Sequence, residues 1–138
     1  IAQEMGVVFE EQRSDDAGAF TELLEVSFVT TTGTRKLTGT VFVGENPRIV
    51  EIDGYPLEVK PEGHILFYTN VDRPGMVAAV GRILAENQIN IATFTLGRTG
   101  KGGEAITAVC VDDTMTDVVK AQIAAIDGVQ NVKVVFVP

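Results

Sequence analysis

The segment Asn70-Val71-Asp72-Arg73-Pro74-Gly75, with Asn90 further along, holds the residues best suited to bind a small molecule. An apolar strand pattern leads into it and a helical pattern leads out, across a Pro-Gly turn. The first N–H groups of a helix have no partner within the helix, and its dipole is positive at that end, so a small carboxylate fits there. Asp72 can take an ammonium group, and Asn70 and Asn90 can each donate and accept hydrogen bonds. Together they meet the needs of a zwitterionic amino acid with a polar side chain. The same residues also fit a plain structural part, with Asp72 as a helix cap and Asn90 fixing a turn.

Other reactive side chains are few. The single His64 stands at the start of a strand and reads as a boundary residue, not a general base. The single Cys110 sits on an alternating apolar strand and reads as a buried structural thiol. One cysteine forms no internal disulfide and supplies no cysteine-based zinc or iron–sulfur site alone. Asp112-Asp113 could suggest a metal, but acids at a strand-to-helix junction more often cap the helix. Gly100-Lys101-Gly102-Gly103 lies between two strands and not before a helix, so it is expected to be a hairpin tip and not a phosphate cradle. No Walker loop, dinucleotide fingerprint or Ser-His-Asp set is found, so no catalytic residue and no metal ligand is expected in this chain.

Composition sets the frame for these residues. The chain has 138 residues, of which 45% are hydrophobic and 22% charged, as in a folded protein of one ordinary or two small domains. Its net charge of −8 argues against a general phosphate-backbone binder. No apolar run reaches the roughly 18 residues of a membrane-spanning helix. The chain opens at Ile1 with no charged stretch before an apolar core, so a cytoplasmic fragment of a longer protein is expected, without a signal peptide.

Two regions are expected to position the site, residues 1–62 and 63–138, with a boundary at Pro61-Glu62-Gly63. In the first, residues 1–5 read as a last helical turn ended by Gly6, residues 7–10 as a strand and residues 13–19 as a polar loop. Leu24, Val26 and Phe28 alternate with polar residues, which predicts a half-buried strand. A turn at Thr32-Gly33, a strand over 37–43, an end at Gly44–Pro47 and strands on both sides of Asp53-Gly54 complete an antiparallel meander. The second region reads β-α-β-β-α-β: strands at 65–71, 89–96, 105–111 and 132–137. A helix is predicted to open at Asp72–Gly75 with Pro74 in its first turn, and a second to be capped near Asp113-Thr114 and stopped by Gly128. This is the ferredoxin-like plan, both helices on one face of a four-stranded antiparallel sheet. The same plan can bind RNA through aromatics on its central strands, but residues 105–111 contain none, and the charge is unfavourable. The fold class expected is α+β.

Residues 64–138 resemble an ACT domain, carried by Val71-Asp72-Arg73-Pro74-Gly75, the helix after it, and Ile89-Asn90-Ile91-Ala92. The preceding region resembles the intervening, or allosteric substrate-binding, domain of long D-3-phosphoglycerate dehydrogenases. That likeness is carried by Gly39-Thr40-Val41-Phe42, Pro47-Arg48-Ile49-Val50 and Ile52-Asp53-Gly54-Tyr55. The resemblance implies a β-rich partial intervening domain followed by an ACT domain, the C-terminal regulatory part of an enzyme that oxidises 3-phosphoglycerate with NAD in the first step of serine synthesis. It implies no cofactor and no dehydrogenase activity in this chain, NAD being held by domains upstream. It further implies side-by-side pairing of ACT domains, with L-serine at the paired interface and Asn70, Asp72, Arg73, Pro74, Gly75 and Asn90 at the ligand positions. Arg48 and Lys60 resemble basic positions that hold a phosphorylated or carboxylate anion in some relatives, or are solvated surface charges. The alternatives are an ACT-bearing part of an iron–sulfur L-serine dehydratase and a ligand-free ACT-like dimerisation module. A short boundary between two compact units is also expected to act as a hinge.

Overall fold

A computed structural model describes residues 8, 10 and 22–138. The helical turn read at 1–5, the loop at 13–19 and, apart from Val8 and Glu10, the strand at 7–10 lie outside the described residues. The elements are β1 (Leu24–Thr30), β2 (Gly33–Phe42), β3 (Asn46–Ile52), β4 (Tyr55–Val59), β5 (Gly63–Val71), α1 (Met76–Glu86), β6 (Ile91–Arg98), β7 (Glu104–Val111), α2 (Asp117–Ala124) and β8 (Val129–Val137). No helix among the described residues is long and apolar enough to cross a membrane.

Strands β1 to β4 form one antiparallel meander in sequence order. Asp53 and Gly54 have φ of 51° and 85°, as a two-residue primed turn demands, and Ile52 pairs with Tyr55 across it. The turn between β2 and β3 is shorter than the sequence suggests. Gly44 and Glu45 take the left-handed conformation, so Asn46 and Pro47 already belong to β3.

The second sheet has the order β6-β7-β5-β8, the ferredoxin-like arrangement, with β7 and β5 central. Leu66, Tyr68, Val109 and Val111 face the two helices and pack with Met76, Val80 and Leu84 of α1 and Val119 and Ile123 of α2. The buried residues of α1 recur every fourth position, the stripe expected from its sequence. Both helix starts lie later than expected. Gly75 is the N-cap of α1, with φ 92°, so Pro74 belongs to the turn before the helix and not to its first turn. Thr116, not Asp113 or Thr114, caps α2, its hydroxyl accepting from the Val119 N–H.

The other face of this sheet is covered by the meander. Ile52, Leu57 and Val59 from β3 and β4 form one buried cluster with Ile65, Ile106 and Ala108 from β5 and β7. Strand β4 also crosses β6 closely: the Thr95 hydroxyl donates to the Glu58 carbonyl at 2.9 Å. At Gly97 a Cβ atom would stand 2.4 Å from the Pro56 carbonyl oxygen, so only glycine permits that approach. The two regions thus share a core across 61–63, and a free hinge there is not what the packing favours: any opening would expose this cluster to water.

Candidate functional site

The loop from β5 to α1 lies at one end of the second sheet, beside the β6–β7 tip and the α2–β8 turn. Asp72 is the centre of that arrangement. Arg98 donates from Nη1 to its Oδ2 at 2.6 Å, and the Gly102 N–H donates to the same oxygen at 3.2 Å. The Asp72 N–H in turn donates to the Gly103 carbonyl at 2.8 Å. The bond from Arg98, followed by that from Gly102, holds the Asp72 carboxyl below the usual carboxylate range. The expected hairpin tip, together with Arg98 at the end of β6, is therefore tied to the candidate loop at three points.

Asp72 does not cap α1. The N-cap is Gly75, which has no side chain to offer, and the first turn carries no acidic residue. The N–H groups of the first turn thus remain for an anion from outside. They start at Gly75 and run into the helix, two residues later than the Arg73 start expected from sequence. A carboxylate and an uncapped helix start lie three residues apart, at Asp72 and Gly75, a pairing of charges suited to a zwitterion.

Arg73 and Asn70 both have partners within the protein, Arg73 at the surface and Asn70 in the interior. Arg73 donates to the Asp127 carbonyl at 2.6 Å and to its carboxylate at 2.7 Å, bracing the α2–β8 turn. Asn70 is 2% exposed, its Oδ1 accepting from the Thr107 hydroxyl at 3.1 Å and its Nδ2 donating to the Val71 carbonyl at 2.9 Å. Tyr68, 1% exposed, lies opposite Thr107 in the strand register, and burial pushes its phenol up to about 12. Asn70, Val71, Gly102, Gly103 and Gly128 line an open recess of about 200 Å³ at this end of the sheet. Arg98, Gly102 and Thr107 are the site residues missed by sequence reasoning. Thr107 could have been found, because it holds an inward-facing position on an otherwise apolar strand.

Asn90 is at the other end of the sheet. Asn70 and Arg98 flank Ala105 at the start of β7, whereas Ile91, next to Asn90, pairs with Val111 at its end. The separation is about 20 Å at roughly 3.3 Å per strand residue. Asn90 donates from Nδ2 to Asp112 Oδ2 at 2.6 Å, and the Asp112 N–H donates to the Asn90 carbonyl at 3.2 Å. Asp112 was expected to cap a helix and instead holds this asparagine. Within one chain, then, Asn70 and Asp72 come together and Asn90 does not join them.

The remaining candidates have local partners. Arg48 pairs with Glu58 at 3.3 Å and Lys60 with Glu62 at 2.6 Å, so each basic charge already faces a carboxylate. The His64 ring lies 4.8 Å from that of Phe136, with its Nε2 3.2 Å from the Thr114 hydroxyl. Cys110 packs at the margin of the core shared by the two regions, and burial pushes its thiol up. Among the described residues no three His, Cys, Asp or Glu side chains could hold a metal ion together.

Comparison with known proteins agrees with this architecture. Residues 64–128 match the ACT domain family, and residues 1–53 match the D-3-phosphoglycerate dehydrogenase intervening domain family. A D-3-phosphoglycerate dehydrogenase of Bacillus subtilis is 33% identical over 138 residues, all of this chain and 26% of the relative. One of Archaeoglobus fulgidus is 34% identical over 131 residues, 94% of this chain and 25% of the relative. A third, of Synechocystis, is 28% identical over 130 residues. The chain spans about a quarter of the length of the curated relatives it matches.

Proposed function

The chain belongs to the D-3-phosphoglycerate dehydrogenase family, carrying its intervening and ACT regions, and we propose that it senses L-serine and restrains the parent enzyme by feedback. On this reading NAD and 3-phosphoglycerate are handled by the other three quarters of the parent, and the present residues bind, without catalysing. The observation that carries the reading is the Asp72 carboxylate, held by Arg98 and the Gly102 N–H, beside the uncapped start of α1. Serine's ammonium would bond Asp72, and its carboxylate the N–H groups from Gly75 onward. The family match of residues 1–53 weighs against the serine dehydratase alternative.

Asn90 enters through a second copy. Among the described residues β6 is an edge strand of its sheet, with β7 as its ladder partner, and an open edge invites pairing. A two-fold axis beside β6 would set two such edges antiparallel. It would thereby bring the partner's Asn90 to the Asp72 end, where its amide could read the serine hydroxyl.

Isothermal titration with serine, alanine and glycine tests the site. Loss of a hydrogen bond to a charged group costs about 1.5–3 kcal/mol, so Asp72→Ala is expected to weaken serine binding about tenfold to a hundredfold. Asn90→Ala is expected to cost less and to reduce the preference for serine over alanine. If folded Asp72→Ala binds serine as tightly as the unmodified chain, the assignment is wrong.

A further inference from the structure

We propose that the β6–β7 tip, residues Arg98 to Glu104, transmits occupancy of the Asp72 site to the β3–β4 hairpin of the first region. This rests on the amino-acid-binding reading above and adds how that site could act on the rest of the molecule. The tip begins at the site: Arg98 and Gly102 bond the Asp72 carboxylate, and Gly103 accepts the Asp72 N–H. It ends on the first region: Glu104 Oε1 accepts from the Tyr55 hydroxyl at 2.9 Å. Tyr55 opens β4 directly after the Asp53-Gly54 turn. That turn is fixed in its own sheet, because the Asp53 carboxylate accepts from Arg35 Nε and from the Lys36 N–H, each at 2.7 Å.

The approach beside the tip leaves no slack. Gly97 immediately precedes Arg98 and lies under the Pro56 carbonyl, where even a Cβ would stand 2.4 Å away. A displacement of Arg98 along β6 therefore presses on β4. An arriving ammonium competes with the Arg98 guanidinium for one carboxylate, so binding loosens a tether of the tip. A ligand shifts a conformational equilibrium only through such differential contacts.

The measurement is amide hydrogen exchange over residues 49–59 of the full chain, with and without serine, in the unmodified protein and in Tyr55→Phe. The unmodified chain is expected to change its exchange there by about threefold or more on binding. Tyr55→Phe keeps the ring and removes the hydroxyl, so serine affinity should stay within about threefold while the response falls below about half. Glu104→Ala removes the acceptor from an exposed position and gives the same reading should Tyr55→Phe unfold. Serine binding without a change at 49–59, or a full response in both variants, overturns the relay and leaves the binding site standing. No serine binding by the unmodified chain overturns the functional reading and the relay with it.

Discussion

Tyr68 and Thr107 stand in the core one step below Asn70, and they show what a polar residue among apolar neighbours must do. Each must find a partner, since an unpaired buried hydroxyl costs about 1–3 kcal/mol. Thr107 finds its partner in Asn70, its hydroxyl donating to the Asn70 Oδ1 at 3.1 Å. Burial favours the neutral phenol, which raises Tyr68 to about 12 in the fold. The unfolded chain releases that proton near pH ~10. The stability tied to Tyr68 is thus complete below pH ~10 and is lost as the pH rises toward 12. Phenolate absorbance of the native chain should show the Tyr68 transition near 12, against a transition near ~10 in denaturant. Two native transitions at the ordinary tyrosine value would contradict the buried cluster. The type of Asp72 and its place beside a helix start were legible in the sequence. Its partner Arg98 was not, because 26 residues separate the two and only the strand register joins them.

At the scale of elements, periodicity and turn chemistry carried most of the reading. Alternation located β1, although Leu24, Val26 and Phe28 are exposed and not half-buried as expected; the Asp53-Gly54 pair located the β3–β4 turn, and the four-residue stripe located α1. Helix starts were misplaced because Pro74 and Asp113 are both acceptable in first turns, and local preference does not say that Gly75 and Thr116 will take the cap instead. The docking of β4 over β6 left one mark in the sequence, Gly97, and a glycine in a strand has several explanations. Its role here is testable. Gly97→Val puts a side chain against the Pro56 carbonyl and should destabilise by about 1–3 kcal/mol, read as a lower urea midpoint. Gly81→Ala, where a Cβ meets nothing within 4 Å, should be neutral or stabilise by up to about 1 kcal/mol. Equal midpoints for Gly97→Val and the unmodified chain would mean that β4 does not hold its place on β6.

For the whole molecule, the distance between Asp72 and Asn90 decides what an intact site requires. They stand at opposite ends of β7, about 20 Å apart by strand rise, so no single copy can close both around one amino acid. If the site is completed across a two-fold axis, each dimer has two sites, and each site draws Asp72 from one copy and Asn90 from the other. Sedimentation at micromolar concentration should then show a dimer, favoured further by serine, because a ligand shared by two copies stabilises their association. A mixing experiment goes further. A dimer of one Asp72→Ala copy and one Asn90→Ala copy carries both lesions in one site and none in the other. With random exchange, half the dimers are mixed, so an equal mixture of the two weakened variants should regain about a quarter of the full-affinity sites. Titration of the mixture after subunit exchange reads this directly. No recovery, although exchange is verified by mass, would show that Asn90 acts within its own copy or not at all. Recovery would place the ligand between two chains, and the relay through Arg98 and Tyr55 would then report assembly and occupancy together.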